Sequence, residues 1–277
     1  RTRKQTNGWF QANVQLSSDR VAARDQALAL FAALGPEIKR WRAQGELKRF
    51  FFMRKPPGLR LRFRFVERSA LTRLQMRLHE LGGQGAIQGW APAIYEPEKY
   101  KWSPSLVPHV HAFFDADSAA FVRWFPRQRQ GQSALTAPTL SLAVLSDLFS
   151  RATESRDEAW DVWCNLQRLH GSGMHNAVEP TGSARVREFE SFGLRQLAER
   201  VPEPDRRLLL SYERTNTRFA NALNNALHLG SLTQGPRAIL AFLTMFHWNR
   251  WGLSLSERAA LYEGMIDTLH PARSLKA

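Results

Sequence analysis

The sequence predicts an α+β fold, in which an antiparallel sheet with helices on one face is followed by a mostly helical half. Two observations carry this prediction. Over the first hundred residues, short runs rich in β-branched and aromatic residues alternate with stretches of helical periodicity. After Trp102 the pattern is helical. A parallel sheet is not favoured, because strands and helices do not keep alternating along the chain.

The elements of the first part are predicted from residue patterns. Strands are expected at 9–16, 48–54, 59–66 and 86–95, and helices at 21–43 and 69–81. Gly35-Pro36 predicts an interruption of the first helix, and Lys55-Pro56-Pro57-Gly58 predicts a turn between the second and third strands. This βαββαβ order is that of a ferredoxin-like antiparallel sheet.

Proline and glycine separate most of the helices predicted in the second part. These helices are expected at 105–114, 117–128, 138–152, 155–169, 183–199, 204–229, 235–251 and 255–268. The sequence therefore predicts a basic α+β sheet region over residues 1–102 and a helical region over residues 103–277. We expect the two regions to form one compact unit.

The positive charge of the chain is unevenly distributed. The 277 residues contain 39 Lys and Arg against 25 Asp and Glu, a formal net charge of +14. Residues 1–77 hold 18 basic and 5 acidic side chains, a net charge of +13, whereas residues 78–277 hold 21 and 20. Most of the basic residues are Arg, which binds carboxylates and phosphates bidentately. We expect the first quarter of the chain to attract an acidic partner.

Composition also excludes several classes of protein. The single cysteine, Cys164, excludes an internal disulfide framework and a cysteine-rich zinc site. No apolar run reaches the roughly 18 residues that a membrane span needs, and the Arg-rich start lacks the apolar stretch of a signal peptide. The sequence motifs of hydrolases, zinc proteases and dinucleotide-binding folds do not occur. We expect a cytoplasmic protein with no metal site.

The strand Leu-Arg-Leu-Arg-Phe-Arg-Phe at 59–65 is the sharpest local feature. Its alternation directs the apolar side chains to the core and places Arg60, Arg62 and Arg64 together on the opposite face. Aligned guanidiniums repel each other unless they meet an anion. The pattern fits either a solvated or salt-bridged sheet surface or a binding face for carboxylates or phosphates.

Two further motifs carry side chains suited to chemistry. In Tyr-Glu-Pro-Glu-Lys-Tyr-Lys-Trp at 95–102, Glu96 and Glu98 are either loop charges or carboxylates that position or deprotonate a peptide amide. In Phe-His-Trp-Asn-Arg-Trp-Gly at 246–252, His247 lies among Asn249, Arg250 and bulky aromatics. It is either a satisfied core histidine or part of a site.

Together these motifs resemble the C-terminal domain of lantibiotic dehydratases, also called the thiopeptide-type bacteriocin biosynthesis domain. The resemblance rests, in order, on the segments beginning at Phe51, Tyr95, His111 and Phe246, and spans about 9–266. It implies an enzyme that modifies a ribosomally made peptide. One branch of the family eliminates glutamate from glutamylated Ser or Thr. The other is the pyridine synthase of thiopeptide pathways, which joins two dehydroalanines in a formal [4+2] cycloaddition.

Departures from the family pattern favour the pyridine synthase branch. The elimination branch continues the Tyr-Glu segment with Arg, an aromatic residue and Gly-Gly, whereas this chain has Lys101, Trp102, Ser103 and Pro104. Its eliminating His corresponds to Met245 here. A β-elimination needs a base for the α-proton, so the loss of this His weakens that branch. His247 lies about 200° around the helix and would not simply replace it.

The resemblance implies roles for the candidate residues and needs no cofactor or metal. The predicted catalytic residues are Tyr95, Glu98, His247 and Arg250. The predicted substrate-binding residues are Arg60, Arg62, Arg64, Glu96, Lys101, Trp102, Trp248, Asn249 and Trp251, with the Trp rings stacking on substrate azoles.

The expected partner is a precursor peptide with an acidic leader, and a homo-oligomer or a complex with other pathway enzymes is compatible with the sequence. No membrane partner is expected, and nucleic acid is not favoured because a readable RNA-binding motif is absent. The alternatives are a stand-alone glutamate-elimination enzyme and a non-catalytic module that binds an acidic peptide or RNA.

Overall fold

A four-stranded antiparallel sheet organises the first part of the chain in this computed structural model, which describes residues 8–170 and 193–274. The strands are β1 (Phe10–Gln15), β2 (Leu47–Lys55), β3 (Gly58–Phe65) and β4 (Gly89–Ala93), in the spatial order β2-β3-β1-β4. Helices α1 (Arg20–Ala43) and α2 (Arg68–Gly83) connect β1 to β2 and β3 to β4. The predicted α+β fold and its βαββαβ order are confirmed.

One face of the sheet forms an apolar core. On β3, Leu59, Leu61 and Phe63 are buried, as the alternation of the strand predicts. The ring of Phe52 on β2 shares this face and lies 4.7 Å from the ring of Phe31 on α1, measured between centroids. Apolar burial between sheet and helix therefore holds α1 in place.

Helix α1 contains an internal proline, Pro36. The predicted interruption at Gly35-Pro36 is wrong, because the helix continues to Ala43. A proline inside a helix costs about 3 kcal/mol. Burial of one large apolar side chain contributes about 1.5–3 kcal/mol. Several such side chains lie on the buried stripe of α1 on both sides of the proline, so packing outweighs its cost; they are Phe31, Leu34, Ile38 and Trp41.

Helix α4 (Val107–Arg129) covers the outer edge of β2. The carboxylate Oδ1 of Asp115 accepts a hydrogen bond from the Phe50 N–H at 2.9 Å, and Ser118 Oγ accepts one from the Phe52 N–H at 3.2 Å. Burial raises the pKa of Asp115. These bonds satisfy edge donors that would otherwise be open to another strand.

The turn between β2 and β3 requires glycine at position 58. A Cβ atom on Gly58 would lie 1.9 Å from the backbone oxygen of Val14 on β1. That distance is shorter than any non-bonded contact, so a larger residue would push β1 away from β3. The predicted turn at 55–58 is confirmed.

The remaining described elements are helices. They are α3 (Lys99–Trp102), α5 (Ala137–Ala152), α6 (Arg156–His170), α7 (Leu194–Ala198), α8 (Glu203–His228), α9 (Pro236–Trp251), α10 (Leu255–Leu269) and α11 (Pro271–Ser274). The predicted break between 114 and 117 is wrong, because α4 is continuous and its polar residues there bind strand β2. Of the predicted helix 183–199, residues 183–192 lie outside the described residues.

The described chain divides into two compact units. The sheet unit comprises residues 8–97 and 114–130, and the helical unit comprises 98–113, 131–170 and 193–274. The predicted domain boundary at residue 102 stays a prediction. None of the described helices has the length and hydropathy needed to cross a membrane.

Helix α5 is the most buried element of the helical unit. All residues from 140 to 145 are buried, which is typical of a helix in the centre of a core. Farther along, the buried Asp147 accepts two hydrogen bonds from Arg151, at 2.8 and 2.9 Å, and one from Asn216 Nδ2 at 2.9 Å. The buried carboxylate is therefore paired, as burial of a charge requires.

Candidate functional site

The three arginines of β3 share one face of the sheet, as predicted, but differ in environment. Arg62 is only 7% exposed and donates from Nε to Oε1 of Gln11 at 2.8 Å. Its guanidinium carbon lies 4.4 Å from the ring centroid of Tyr95 and 5.3 Å from that of Phe51. Cation–π contact and a hydrogen bond thus make Arg62 part of a packed cluster.

Arg60 and Arg64 flank Arg62 and are accessible. Arg60 is partly exposed, Arg64 is exposed, and neither has a hydrogen bond or an ion pair within residues 8–170 and 193–274. Arg49 of β2 lies directly opposite Arg64, with its Nη1 3.6 Å from Asp115 Oδ2. Arg49 is not among the residues that the sequence selects, because only the strand register places it there. Like charges in this position destabilise the sheet unless an anion binds them.

The segment after β4 divides the predicted catalytic residues between the two units. Tyr95 belongs to the sheet unit and is buried, with the Trp9 ring 5.5 Å away in an edge-on contact. Glu96 is exposed in the same unit, whereas Glu98 is partly exposed and begins α3 in the helical unit. The roles assigned to these three residues stay predictions.

Helix α9 has one buried face and one partly exposed face. Over residues 242–251, the partly exposed side chains follow the helical spacing i, i+3, i+4 and i+7; they are Phe242, Met245, Phe246 and Asn249. The buried side chains include four predicted site residues, His247, Trp248, Arg250 and Trp251. Of the residues that the sequence selects on α9, only Asn249 lies on the accessible face.

His247 is hydrogen-bonded inside the helical unit. Its Nε2 lies 3.1 Å from Oγ of Ser141 on α5, and this oxygen also accepts the Trp248 Nε1–H at 2.9 Å. The His247 ring lies 5.8 Å from that of Trp251, and the side chain is fully buried. A buried polar group with a bonded partner is what a stable core requires. The catalytic role of His247 stays a prediction.

Lys101 on α3 lies against the partly exposed face of α9. Its Nζ is 5.3 Å from the ring centroid of Phe242 and 5.7 Å from those of Phe246 and Tyr100. Below it, the buried Trp102 contacts the Phe246 ring edge-on at 5.3 Å. No carboxylate pairs with Lys101 in the described part of the chain. We call Tyr100, Lys101, Phe242 and Phe246 the Lys101 cluster.

The accessible surface beside α9 offers binding groups rather than an acid–base pair. The Lys101 cluster supplies a cation and aromatic rings, and Met245 adds apolar surface between them and Asn249. Within the described ranges, no group of three or more His, Cys, Asp or Glu side chains is arranged to hold a metal ion. The arrangement suits an apolar group that carries a hydrogen-bond acceptor.

A comparison with known families covers nearly the whole chain. The family model described as Lantibiotic biosynthesis dehydratase C-term matches residues 9–269. The chain belongs to this family. No curated protein matches the sequence.

Solved structures share the fold. The tRNA-dependent lantibiotic dehydratase MibB from Microbispora sp. 107891 matches 100% of this chain with a TM-score of 0.72 and 19% identity, and the chain spans 29% of the length of MibB. TbtD, the pyridine synthase from thiomuracin biosynthesis, matches 96% of the chain and 99% of its own length, with a TM-score of 0.62 and 14% identity. TsrL matches 96% of the chain and 95% of its own length, with a TM-score of 0.58 and 15% identity.

Ser103 ends α3 in a backbone conformation that favours glycine. Its φ is 62°, and it is the non-glycine residue with positive φ among those described. The elimination branch of the family, by the resemblance given above, has glycine here. Ser103 Oγ accepts the Thr233 N–H at 2.7 Å and lies 2.9 Å from Thr233 Oγ1. These bonds offset the strain and fix the end of α3 beside α9.

A cavity of about 440 Å³ in the helical unit contains none of the predicted site residues. Its walls include Ser150, Thr153, Arg156 and Met265. The two hydroxyls donate to backbone carbonyls, and Arg156 donates to the Thr268 carbonyl at 3.0 Å. Ser146 Oγ and Trp163 Nε1 of the same lining have no hydrogen-bond partner among the described residues. We keep the Lys101 cluster as the candidate site because it includes a predicted site residue, Lys101, whose ammonium has no ion-pair partner in the described part of the chain.

Replacement of Arg62 tests its place in the packed cluster. We expect Arg62→Ala to lower the free energy of unfolding by about 2–4 kcal/mol, because Gln11 loses its partner and the aromatic rings lose a packed neighbour. Arg60→Ala is the matched control on the same strand face, with an expected change below about 0.5 kcal/mol. Urea denaturation measures both, and equal losses would contradict the assignment.

Replacement of Ser141 tests the buried network of α9. Ser141→Ala removes the acceptor of the Trp248 indole and the partner of His247 Nε2, so we expect a loss of about 2–3 kcal/mol in unfolding free energy. The control is Ser146→Ala on the same helix, whose buried Oγ has no partner among the described residues. Chemical denaturation followed by circular dichroism compares them. A Ser146→Ala variant as unstable as Ser141→Ala would refute the network's importance.

Proposed function

We propose that this chain modifies a ribosomally synthesised peptide as a pyridine synthase. It joins two dehydroalanines of the peptide in a formal [4+2] cycloaddition that closes a pyridine-centred macrocycle, with loss of water and of the leader peptide. The proposal rests on family membership and on the chemistry of the accessible face of α9.

The choice of reaction rests on position 245. Met245 is partly exposed on α9 at the position where, by the family resemblance, the elimination branch has its histidine, whereas His247 is buried on the other face and bonded to Ser141. Elimination of glutamate requires a base at the α-proton of the substrate. A thioether is not a base, so this face is better suited to holding reactants than to removing a proton.

The proposed reaction balances without an oxidant, a metal or a cofactor. The amide before one dehydroalanine takes its iminol form, so its C=N and the neighbouring C=C make a 2-azadiene. Carbon–carbon bonds then form between the vinyl CH₂ carbons, and between the iminol carbon and the α-carbon of the second dehydroalanine. Loss of the iminol oxygen as water, and of the leader as its carboxamide, gives the aromatic pyridine.

Such a reaction depends mainly on positioning. Holding two distant segments of one flexible peptide in reacting geometry contributes about 7–11 kcal/mol in well-oriented cases. The Lys101 cluster and Met245 supply an apolar surface for the vinyl groups, and the exposed Tyr100 ring can stack on a planar substituent. The predicted acid–base residues Tyr95 and Glu98 remain candidates for dehydration and leader loss.

The related structures support the proposal unequally. The match to TbtD covers 99% of that pyridine synthase, so the two chains are similar in fold over nearly their whole length. The match to MibB has the higher TM-score, 0.72 against 0.62, and this keeps glutamate elimination as the second candidate. Met245 in place of the histidine favours the first candidate.

The accessible arginines of the sheet unit supply a site for the acidic leader. Arg60 and Arg64 lack partners in the described residues, and Arg49 lies opposite Arg64. Arginine pairs with carboxylates through parallel hydrogen bonds. We therefore assign leader binding to this face of the sheet. Arg62 lies between Arg60 and Arg64 on the same face and is packed against aromatic rings.

A synthetic substrate tests the proposed reaction. The protein is incubated with a peptide that carries a leader, azoles and two dehydroalanines, and separately with the same peptide bearing glutamylated Ser. We expect mass spectrometry to find a macrocycle and released leader from the first and no product from the second. The physical reason is that positioning needs no histidine at 245, whereas elimination does.

The other outcomes identify the alternatives. Turnover of the glutamylated peptide alone would assign the chain to the elimination branch. Binding of either peptide without product would indicate a non-catalytic module. Met245→His serves as a further control. If this variant gains glutamate elimination, the absence of that activity in the wild type is due to the residue at position 245.

A further inference from the structure

We infer that Lys101 is the hydrogen-bond donor that activates the dienophile. Its ammonium binds the acceptor atom conjugated to the reacting vinyl group, either the carbonyl oxygen of an amide or the ring nitrogen of an azole. The inference rests on the proposed function and adds a catalytic residue to it.

The first support is the chemical environment of the Lys101 ammonium. The three nearest aromatic rings have centroids 5.3–5.7 Å from Nζ, and no acceptor or carboxylate of the described residues binds it. The side chain is partly exposed, so its N–H groups are open to a ligand. A charged donor among apolar rings forms stronger hydrogen bonds than one surrounded by water.

The second support is the fixed position of Lys101. A helix of four residues has little stability of its own. Here two hydrogen bonds tie it to the loop before α9: Gln234 Nε2 donates to the Tyr100 carbonyl at 3.0 Å, and Ser103 Oγ accepts the Thr233 N–H. The strained φ of Ser103 persists only because this loop holds it. Preorganisation of this kind is typical of a donor that acts in a transition state.

The third support is the character of the neighbouring surface. Phe242, Met245 and Phe246 follow one another along the accessible face of α9 and present apolar side chains beside the ammonium. A vinyl group is apolar, and the acceptor conjugated to it is polar. The surface therefore matches both parts of a dehydroalanine unit at once.

The catalytic effect requires no proton transfer from Lys101. A hydrogen bond to the conjugated acceptor withdraws electron density from the C=C, which speeds its reaction with an electron-rich azadiene. Negative charge grows on the acceptor as the bonds form, so the hydrogen bond is stronger in the transition state than in the bound substrate. The proton stays on Nζ throughout, and the bonds made and broken are those of the proposed reaction.

A charge-matched pair of variants tests the inference. Lys101→Met removes the donor and keeps the length of the side chain. Lys99→Met makes the same change in net charge on the same helix at an exposed position outside the cluster. We expect Lys101→Met to lower kcat by about 10²–10³-fold, the usual cost of one transition-state donor. Lys99→Met should leave kcat unchanged, and Lys101→Arg should restore part of the activity.

A binding measurement separates activation from simple capture. The probe is the substrate peptide with alanine in place of the dienophile dehydroalanine, which binds but does not react. We expect its Kd to be similar for wild type and Lys101→Met, since the donor acts mainly in the transition state. A rise in Kd that accounts for the whole loss of kcat/KM would overturn the inference.

The failures of the two proposals are distinguishable. If wild type forms the macrocycle and Lys101→Met does so equally fast, the inference is wrong and the proposed function stands. An equal loss in Lys99→Met and Lys101→Met also overturns it, because general charge would then explain the effect. If wild type forms no macrocycle, the proposed function fails and the inference fails with it. Thermal unfolding of each variant excludes loss of the fold as the cause.

Discussion

The burial of one face of α9 is the constraint on which the candidate site depends. Ser141 on α5 bonds both His247 and the Trp248 indole, and these hydrogen bonds fix which face of the helix is turned inward. With that face buried, the helical period directs Phe242, Met245 and Phe246 outward. The position of the accessible face is therefore set by a buried polar network, whose members are polar or aromatic yet inaccessible.

The arginines of β3 in the sheet unit are likewise divided between buried and exposed positions. Arg62 lies between two positions that remain open, and its guanidinium packs against the rings of Tyr95 and Phe51. Its neighbours Arg60 and Arg64 keep exposed charge on the same face. The positive charge of the N-terminal quarter thus serves two purposes: part of it stabilises the sheet, and part of it is available to an acidic partner.

The sequence was sufficient for the fold, because its signals were local. Alternation in β3 correctly predicted the buried Leu59, Leu61 and Phe63, and the order of elements predicted the sheet. Local signals failed where tertiary packing outweighed them. Burial keeps α1 helical through Pro36, and α4 continues across the predicted break at 115–116, where Asp115 binds the edge of β2.

The site was harder to predict, for a physical reason. The stretch from Phe242 to Trp251 has large apolar and aromatic residues on every side of the helix, and its polar residues do not share one face, so its pattern does not reveal which face is buried. Lys101 and Asn249, which the sequence selects as substrate-binding residues, lie on the accessible surface, and their role stays a prediction. Tyr100 and Phe242 were not selected, because single aromatic residues carry no signal of their own. The left-handed φ of Ser103 depends on a bond to Thr233, 130 residues away, and has no local signature.

Hydroxyl-radical labelling read by mass spectrometry tests most directly that the substrate binds beside α9. The protein is labelled alone and with a saturating amount of the unreactive alanine-substituted peptide. The account predicts that the peptide slows oxidation of Met245 and Tyr100, which it covers, and leaves the exposed Met76 of the sheet unit unchanged. Bound peptide with unchanged labelling at Met245 and Tyr100 would contradict the account.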